Sequence, residues 1–132
     1  MKQPDGEEDM PIIFSYTRAQ AITDGVLVDL TEWALETGFR VPVACTSTVW
    51  SQYIEPADDL RPAGQSERGR AHDVLWLLYV TICKCPPNTD QLRFKISFLM
   101  SARNQQTVEL KAISGPGDAG EPVLTLMLPD ED

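Results

Sequence analysis

Residues 92–128, LRFKISFLMSARNQQTVELKAISGPGDAGEPVLTLML, decide the fold, because apolar and polar side chains alternate along most of this stretch. In LRFKISFLM, residues 92–100, every second side chain is apolar, and the alternation recurs in TVELKAI, residues 107–113. A third, almost wholly apolar run, PVLTLML, covers residues 122–128. A period of two is typical of strands that bury one face, and short connections between such runs are typical of a meander. We therefore predict three sequential antiparallel strands.

The sequence before this stretch predicts helices. Residues 70–85, RAHDVLWLLYVTICKC, are apolar nearly all round, which predicts a central helix that is covered on most sides. Short helices are predicted at TRAQAITD, where Thr17 and Gln20 have the spacing of a capping box, at EWALET, and from Thr46 onward. Helices first and strands later is the α+β pattern. We expect short N-terminal helices and one central apolar helix to pack on a C-terminal antiparallel β-meander of three or more strands.

Two extended segments and one loop complete the pattern. VLVDL, residues 26–30, indicates a buried strand, and FRVPVACT, residues 39–46, is extended. Pro42 suits an edge or a bulge better than a central ladder position, so we expect these segments to add edge strands. EPADDLRPAGQSERG, residues 55–69, has two prolines and two glycines. This composition predicts a surface loop, which we call the Pro-Gly loop, and we expect it to be the most mobile segment of the chain.

The length and composition fit one domain with a real core, since the chain has 132 residues of which 42% are hydrophobic. The first ten residues, MKQPDGEEDM, are acidic and lack periodicity, so we predict a disordered segment 1–10 and a single α+β domain over 11–132. The longest apolar run, residues 74–83, is about half of the ~20 residues that a membrane-spanning helix needs. The N-terminus also lacks the basic and apolar regions of a secretory signal. We expect a cytoplasmic protein.

The segment from Gly115 to Gly120, GPGDAG, is a literal G-x-G-x-x-G, the spacing of a phosphate-binding loop. Such a loop follows a strand and opens a helix, whose N-terminal N–H groups hold the phosphate. Here Pro116 and Pro122 bracket the glycines, and the following residues indicate another strand. We predict a wide β-hairpin connection in which the glycines supply positive φ.

Little else indicates catalysis or ligand chemistry. His72 is the only histidine, and the three cysteines Cys45, Cys83 and Cys85 are an odd number in a chain with no sign of export, so we expect reduced thiols. The C-x-C spacing of Cys83 and Cys85 is short for a zinc knuckle. Adjacent carboxylates occur only in segments predicted to be mobile, whereas acid–base catalysis needs carboxylates in rigid positions. We expect no enzymatic activity, no cofactor and no metal. The basic residues between 61 and 103 are spread over a loop, a helix and a strand, so we expect no direct nucleic-acid binding.

The net charge of −9 lies in two acidic blocks that flank a mildly basic middle, residues 60–103. A hairpin tip that carries acid beside an acidic tail offers a compact negative surface to an Arg-rich or Lys-rich partner. The alternative is that these carboxylates lie on a solvated loop and a frayed chain end and have no role in binding. The candidate binding residues are exposed carboxylates of the tip, the tail and the Pro-Gly loop: Asp118, Glu121, Asp130, Glu131, Asp132, Asp58 and Asp59.

Three stretches together resemble a known group of proteins: IFSYTRAQAITDGVLVDLTEWALETGFRVPVACTSTVW, GRAHDVLWLL and LKAISGPGDAGEPVLTLMLPDED. The chain resembles a family of small, acidic, uncharacterised bacterial proteins of plasmids, phages and other mobile elements, a domain of unknown function. The resemblance implies no enzyme. It suggests a non-enzymatic inhibitor of the anti-CRISPR or anti-restriction type, which binds a basic host protein such as a nuclease or a CRISPR surveillance subunit.

Two alternatives stay open. The first is a self-associating housekeeping or regulatory module of the mobile element, a homodimer that pairs through an edge strand. The second is a small-molecule binder or weak enzyme that uses Cys45 or His72 in its site, or the Pro-Gly loop as a lid.

Overall fold

The computed structural model describes residues 16–131. The predicted disordered segment 1–10 and the candidate residue Asp132 lie outside this range. The helical elements are α1, Arg18–Thr23; α2, Thr31–Thr37; α3, Ser47–Val49, which continues as a π-helical turn, Trp50–Ile54; a 3-10 turn, Asp58–Leu60; and α4, Glu67–Cys83. The strands are β1, Leu27–Asp29; β2, Val43–Thr46; β3, Gln91–Ser101; β4, Asn104–Pro116; and β5, Pro122–Met127. No helix in the described range is long and apolar enough to cross a membrane.

The strands form one sheet in the order β1-β2-β5-β4-β3. The predicted meander is confirmed, because β3, β4 and β5 pair antiparallel in sequence order, with Phe94 opposite Leu110 and Ala112 opposite Leu126. β2 runs parallel to β5, with Cys45 opposite Leu126, and β1 runs antiparallel to β2. The fold is therefore α+β, as predicted, on a mixed five-stranded sheet.

One prediction about the edges of the sheet was wrong. β1 is an edge strand, but β2, from the segment FRVPVACT, lies inside the sheet between β1 and β5. Pro42 does not interrupt the ladder, because the strand begins one residue later, at Val43. The carbonyl of Pro42 accepts a hydrogen bond from the N–H of Leu124 at 2.9 Å, so the residue contributes the one backbone group that proline retains.

The main helical layer covers one face of the sheet. α4 buries a single stripe against it, formed by Arg70, Ala71, Val74, Leu75 and Leu78. The prediction that this helix is covered on most sides was wrong: Trp76 on its other face is exposed and stacks on Tyr79, with ring centroids 6.2 Å apart. A helix that lies on the outside of a two-layer fold buries one face only.

The Pro-Gly segment is more ordered in its contacts than its composition suggests. Leu60 is 2% exposed and lies in the 3-10 turn, and the N–H of Gln65 donates to the carbonyl of Leu60 at 3.2 Å. α4 begins at Glu67, three residues before the predicted start, because the hydroxyl of Ser66 accepts a hydrogen bond from the N–H of Gly69 at 3.0 Å. Ser66 is thus the N-cap, and the loop ends there.

Gly38 ends α2 at a point where a side chain does not fit. Its φ is 126°, and a Cβ at this position would lie 3.3 Å from a ring carbon of Tyr79. We expect Gly38→Ala to lower the free energy of unfolding by about 1–3 kcal/mol, because both the backbone conformation and the close contact disfavour a side chain. Urea unfolding followed by circular dichroism measures the change.

Gly115→Ala is the matched control, since Gly115 has no positive φ and a Cβ there would meet no neighbouring atom within 4 Å. It should leave the unfolding midpoint nearly unchanged. Equal losses in the two variants would contradict this account of α2.

Candidate functional site

The carboxylate at the predicted acidic hairpin tip bonds to groups of its own chain. Asp118 lies in the turn between β4 and β5, and its Oδ1 and Oδ2 accept hydrogen bonds from the backbone N–H groups of Arg18 at 2.7 Å and Ala19 at 3.0 Å. These two N–H groups open α1 and have no partner within the helix. The bonds from Arg18 and Ala19 hold the pKa of Asp118 below its ordinary value. The carboxylate therefore attaches the tip to α1.

The attachment of α1 is reciprocal. The guanidinium of Arg18 donates to Thr125 Oγ1 at 2.7 Å and to the carbonyl of Leu124 at 2.8 Å, both on β5. Its partial burial lowers the pKa of Arg18. The predicted capping box is confirmed, because Thr17 Oγ1 accepts from the N–H of Gln20 and Gln20 Oε1 accepts from the N–H of Thr17, each at 3.0 Å. The hairpin and α1 thus form one unit.

The acidic tail is also bonded to the fold, up to Glu131. Glu131 Oε1 accepts hydrogen bonds from Thr46 Oγ1 and from the N–H of Leu128, both at 2.8 Å. Lys111, which is 6% exposed, donates from Nζ to the carbonyls of Glu131 at 2.6 Å and of Pro129 at 3.2 Å. The ammonium group therefore closes the tail over the sheet.

The remaining two candidates of the tip and tail differ from each other. Glu121 Oε1 accepts a hydrogen bond from the N–H of Ala119 at 3.0 Å, so it stabilises its own turn. Asp130 is exposed, and among the described residues its carboxylate has no hydrogen bond or ion pair. Among the described residues of the predicted patch, Asp130 is therefore the one whose carboxylate faces solvent without an internal contact.

The candidates Asp58 and Asp59 lie elsewhere, in a segment that we call the acidic loop, residues 55–61. Both are exposed, as is Glu55, which lies three residues before Asp58 and was not among the candidates predicted from the sequence. Asp58 Oδ1 is 3.5 Å from Arg61 Nε, and its carboxylate stays open to solvent. The structure brings Glu55, Asp58 and Asp59 onto one short segment, away in sequence from the hairpin tip and tail.

Arg70 lies beneath the acidic loop and was missed as an internal residue. It is 4% exposed, and its guanidinium donates to Gln65 Oε1 at 3.1 Å, to the carbonyl of Tyr53 at 2.8 Å and to the carbonyl of Leu99. Its charge lies 5.7 Å from the centroid of the Phe98 ring, within cation–π range. Burial lowers the pKa of Arg70. The sequence contains a signal of this burial, because Arg70 lies one helical turn before Val74 and therefore on the apolar stripe of α4.

A bidentate ion pair joins the acidic loop to α4. Arg61 donates from its two terminal nitrogens to Glu67 Oε1 at 2.9 Å and Oε2 at 2.8 Å. The hydrogen bonds from Arg61 lower the pKa of Glu67 to about 2. The loop is therefore fixed on both sides, by this pair and by Leu60 in the core.

The comparisons with known proteins give a family. A model of DUF6573, described as a family of unknown function, matches residues 7–132. The chain belongs to DUF6573. No curated protein and no solved structure matches it. The family description names no activity, so the function of this DUF6573 domain has to be argued from its surface and cavities.

An apolar groove of the DUF6573 domain has a volume of about 460 Å³ and lies between the end of α4 and the sheet. Tyr79, Ile82, Leu92 and Leu124 line it, and Arg40, Asp90, Cys83 and Cys85 add polar groups. Neither Cys45 nor His72, the candidates of the small-molecule alternative, lines this groove. Cys45 is fully buried, which raises the pKa of its thiol to about 12 and makes it unreactive. Among residues 16–131, no three His, Cys, Asp or Glu side chains are placed to hold a metal ion.

Replacing Asp118 tests the role of the tip. We expect Asp118→Ala to lower the melting temperature at pH 7, because two N–H groups of α1 lose their acceptor. The folded pKa of Asp118 lies below the unfolded one, so this stabilisation is complete above the ordinary value of 3.8 and is lost as the pH falls through the folded pKa. The gap in melting temperature between wild type and variant should therefore narrow as the pH falls from 5 toward about 2.

Asp130→Ala removes another exposed carboxylate, which follows the other end of β5, and should leave the melting temperature unchanged at every pH. A gap for Asp118→Ala that does not depend on pH would show that the carboxylate is not the group that holds α1.

Proposed function

We propose that this DUF6573 domain is a non-catalytic protein-binding module, which docks its acidic loop on a basic partner. The observation that carries the proposal is the presentation of three exposed carboxylates, Glu55, Asp58 and Asp59, on a segment anchored by buried Leu60. The Arg61–Glu67 pair also holds this segment, and Arg70 bonds to Tyr53 and Gln65, which flank it on either side. A preformed loop loses little conformational entropy on binding, and this favours affinity.

The chemistry of carboxylates suggests the kind of partner. Carboxylate and phosphate groups both accept bidentate hydrogen bonds from guanidinium, so carboxylates can occupy an Arg-rich site built for phosphates. The net charge of −9 adds long-range attraction toward such a surface. We propose the partner to be a host nuclease or a CRISPR surveillance subunit, and the protein to be an inhibitor of the anti-CRISPR or anti-restriction type carried by a mobile element.

The acidic loop supports this proposal better than the hairpin tip does. Asp118, Glu121 and Glu131 accept hydrogen bonds from groups of their own chain, and a partner would have to compete for them. Asp58 and Asp59 keep their carboxylates in solvent. Asp130 is the tail residue that can add to the negative surface.

Neutralising the acidic loop tests the proposal. The loop variant is Glu55→Gln, Asp58→Asn and Asp59→Asn, and the control variant makes the same change of charge at Glu32, Asp73 and Asp90, which are exposed elsewhere. Tagged wild type and both variants are incubated with lysate of a defence-proficient bacterium at low and moderate salt. We expect wild type and control to retain the same basic protein, and the loop variant to bind it about tenfold more weakly or worse, which is ~1.4 kcal/mol or more.

Titration of the purified partner against all three proteins gives the dissociation constants. Equal affinity of the loop and control variants would mean that the acidic loop is not the docking site. Retention that does not weaken with salt would contradict an electrostatic interface.

A second candidate function rests on the apolar groove at the end of α4. Its volume of about 460 Å³ and its mainly apolar lining match those of small-ligand sites. A ligand that binds only the folded state raises the melting temperature. A rise with a compound from a metabolite panel, equal in wild type and in the loop variant, would support this candidate; a panel without any such compound would count against it.

A further inference from the structure

Within residues 16–131, the strand β3 forms the second edge of the sheet and pairs on one side only, with β4. In an antiparallel pair, successive residues direct their N–H and C=O groups alternately toward the partner strand and away from it. The N–H of Ser114 donates to the carbonyl of Asp90 at 2.8 Å, so position 90 faces β4. By alternation, even-numbered residues of β3 bond to β4, and odd-numbered residues direct their backbone groups to the open side.

Two further hydrogen bonds agree with this alternation. The N–H of Gly117 donates to the carbonyl of Glu121 at 2.6 Å, so odd-numbered residues of β4 face β5 and even-numbered ones face β3. The carbonyl of Leu99, an odd-numbered residue of β3, accepts from Arg70, which approaches from the open side. Arg70 therefore closes one end of the open edge, and no other strand within residues 16–131 pairs with residues 91–97.

The side chains along the open edge are basic. Arg93 and Lys95 are exposed, and they alternate with Phe94 and Ile96, which are buried beneath the helices. Across the sheet, Arg93 lies opposite Lys111 and Lys95 opposite Glu109. On a chain with a net charge of −9, the exposed side chains of Arg93 and Lys95 give this edge two positive charges. A strand added here would pair with it through backbone hydrogen bonds and be selected by the charge of alternate side chains.

A second copy of the chain fits this edge poorly. Antiparallel pairing of two β3 edges would set Arg93 and Lys95 against the same residues of the other copy, and like charges across a strand pair destabilise it. The other edge of the sheet, β1, has only three residues, so head-to-tail pairing would leave most of the open edge unpaired. The charge therefore favours an acidic segment over a second β3 edge.

We propose that residues 91–97 of β3 bind an extended acidic segment of a partner protein as a sixth strand of the sheet. The partner places carboxylates at alternate positions, beside Arg93 and Lys95, while its backbone bonds to the outward N–H and C=O groups of Arg93, Lys95 and Ser97. This surface differs from the acidic loop in charge and in element, so the proposal goes beyond the proposed function and can fail independently of it.

The test uses the full chain and a synthetic peptide, acetyl-Thr-Val-Glu-Val-Glu-Val-Thr-amide, with a control peptide in which Lys replaces Glu. Amide hydrogen exchange by NMR reports each N–H separately. We expect the acidic peptide to slow exchange at Arg93, Lys95 and Ser97, while Phe94 and Ile96, already bonded to β4, change little. The Lys peptide should have no effect.

Two substitutions at one position separate backbone from charge. Lys95→Ala removes the charge and keeps the outward N–H, whereas Lys95→Pro removes both, and an edge strand tolerates proline where the N–H faces outward. We expect both variants to fold, Lys95→Ala to weaken peptide binding and Lys95→Pro to abolish it. Lys95→Glu should weaken binding about threefold to tenfold, and Lys84→Glu, the same change at the end of α4, should leave it unchanged.

Three results would overturn the proposal. The acidic and Lys peptides could bind equally, or Lys95→Glu could bind the acidic peptide as wild type does. The N–H groups of Arg93 and Lys95 could also be protected without peptide, to an extent that rises with protein concentration, and then a second copy occupies the edge. If Lys95→Pro does not fold, the Lys95→Glu and Lys84→Glu pair still decides.

Discussion

Both proposed surfaces depend on the hydrogen bonds that the buried guanidinium of Arg70 donates. A charge removed from water is costly unless its hydrogen-bonding groups are satisfied, and here the acceptors are an amide oxygen and two backbone carbonyls rather than a carboxylate. These acceptors belong to Gln65, Tyr53 and Leu99, which lie in three separate segments. One side chain of α4 therefore positions the base of the acidic loop and the closed end of the β3 edge together.

The opposite end of the molecule is organised in a similar way, by groups that bond across the chain. Asp118 holds the start of α1, Arg18 reaches from α1 to β5, and Lys111 closes the tail. Asp118 accepts from N–H groups that the start of α1 leaves without helical partners, Lys111 donates to carbonyls of the tail, and Arg18 donates to a hydroxyl and a carbonyl of β5. The exposed charges that are not used in this way include those of the acidic loop and of β3, and these are the charges that we propose meet partners.

The sequence predicted the parts of the fold that depend on local pattern. Alternation in residues 92–113 predicted two of the meander strands, and the spacing of Thr17 and Gln20 predicted the cap of α1. The place of β2 inside the sheet could not be read in this way, because its parallel pairing with β5 joins residues about 80 positions apart in the chain. Pro42 favoured the prediction of an edge strand. Proline, however, removes only its own N–H from the ladder, and β2 begins one residue after it.

The candidate site was predictable to a smaller extent, for a physical reason. Composition identifies carboxylates, but whether a carboxylate meets solvent or a helix end depends on tertiary contacts, such as that between Asp118 and Arg18, 100 residues apart. Asp58 and Asp59 were selected correctly as exposed, since the prolines and glycines around them favour surface turns. Arg70 was counted only among the scattered basic residues between 61 and 103, because charge alone does not reveal burial.

The central claim, that Arg70 fixes the acidic loop, is tested most directly by native-state amide hydrogen exchange in wild type and Arg70→Lys. Lysine keeps the charge but cannot serve three acceptors with the geometry of a guanidinium. The account predicts that the N–H groups of Leu60 and Gln65 lose protection in the variant, while that of Ala21, which bonds within the α1 unit, keeps it. Unchanged protection at Leu60 and Gln65, or an equal loss at all three positions, would contradict it.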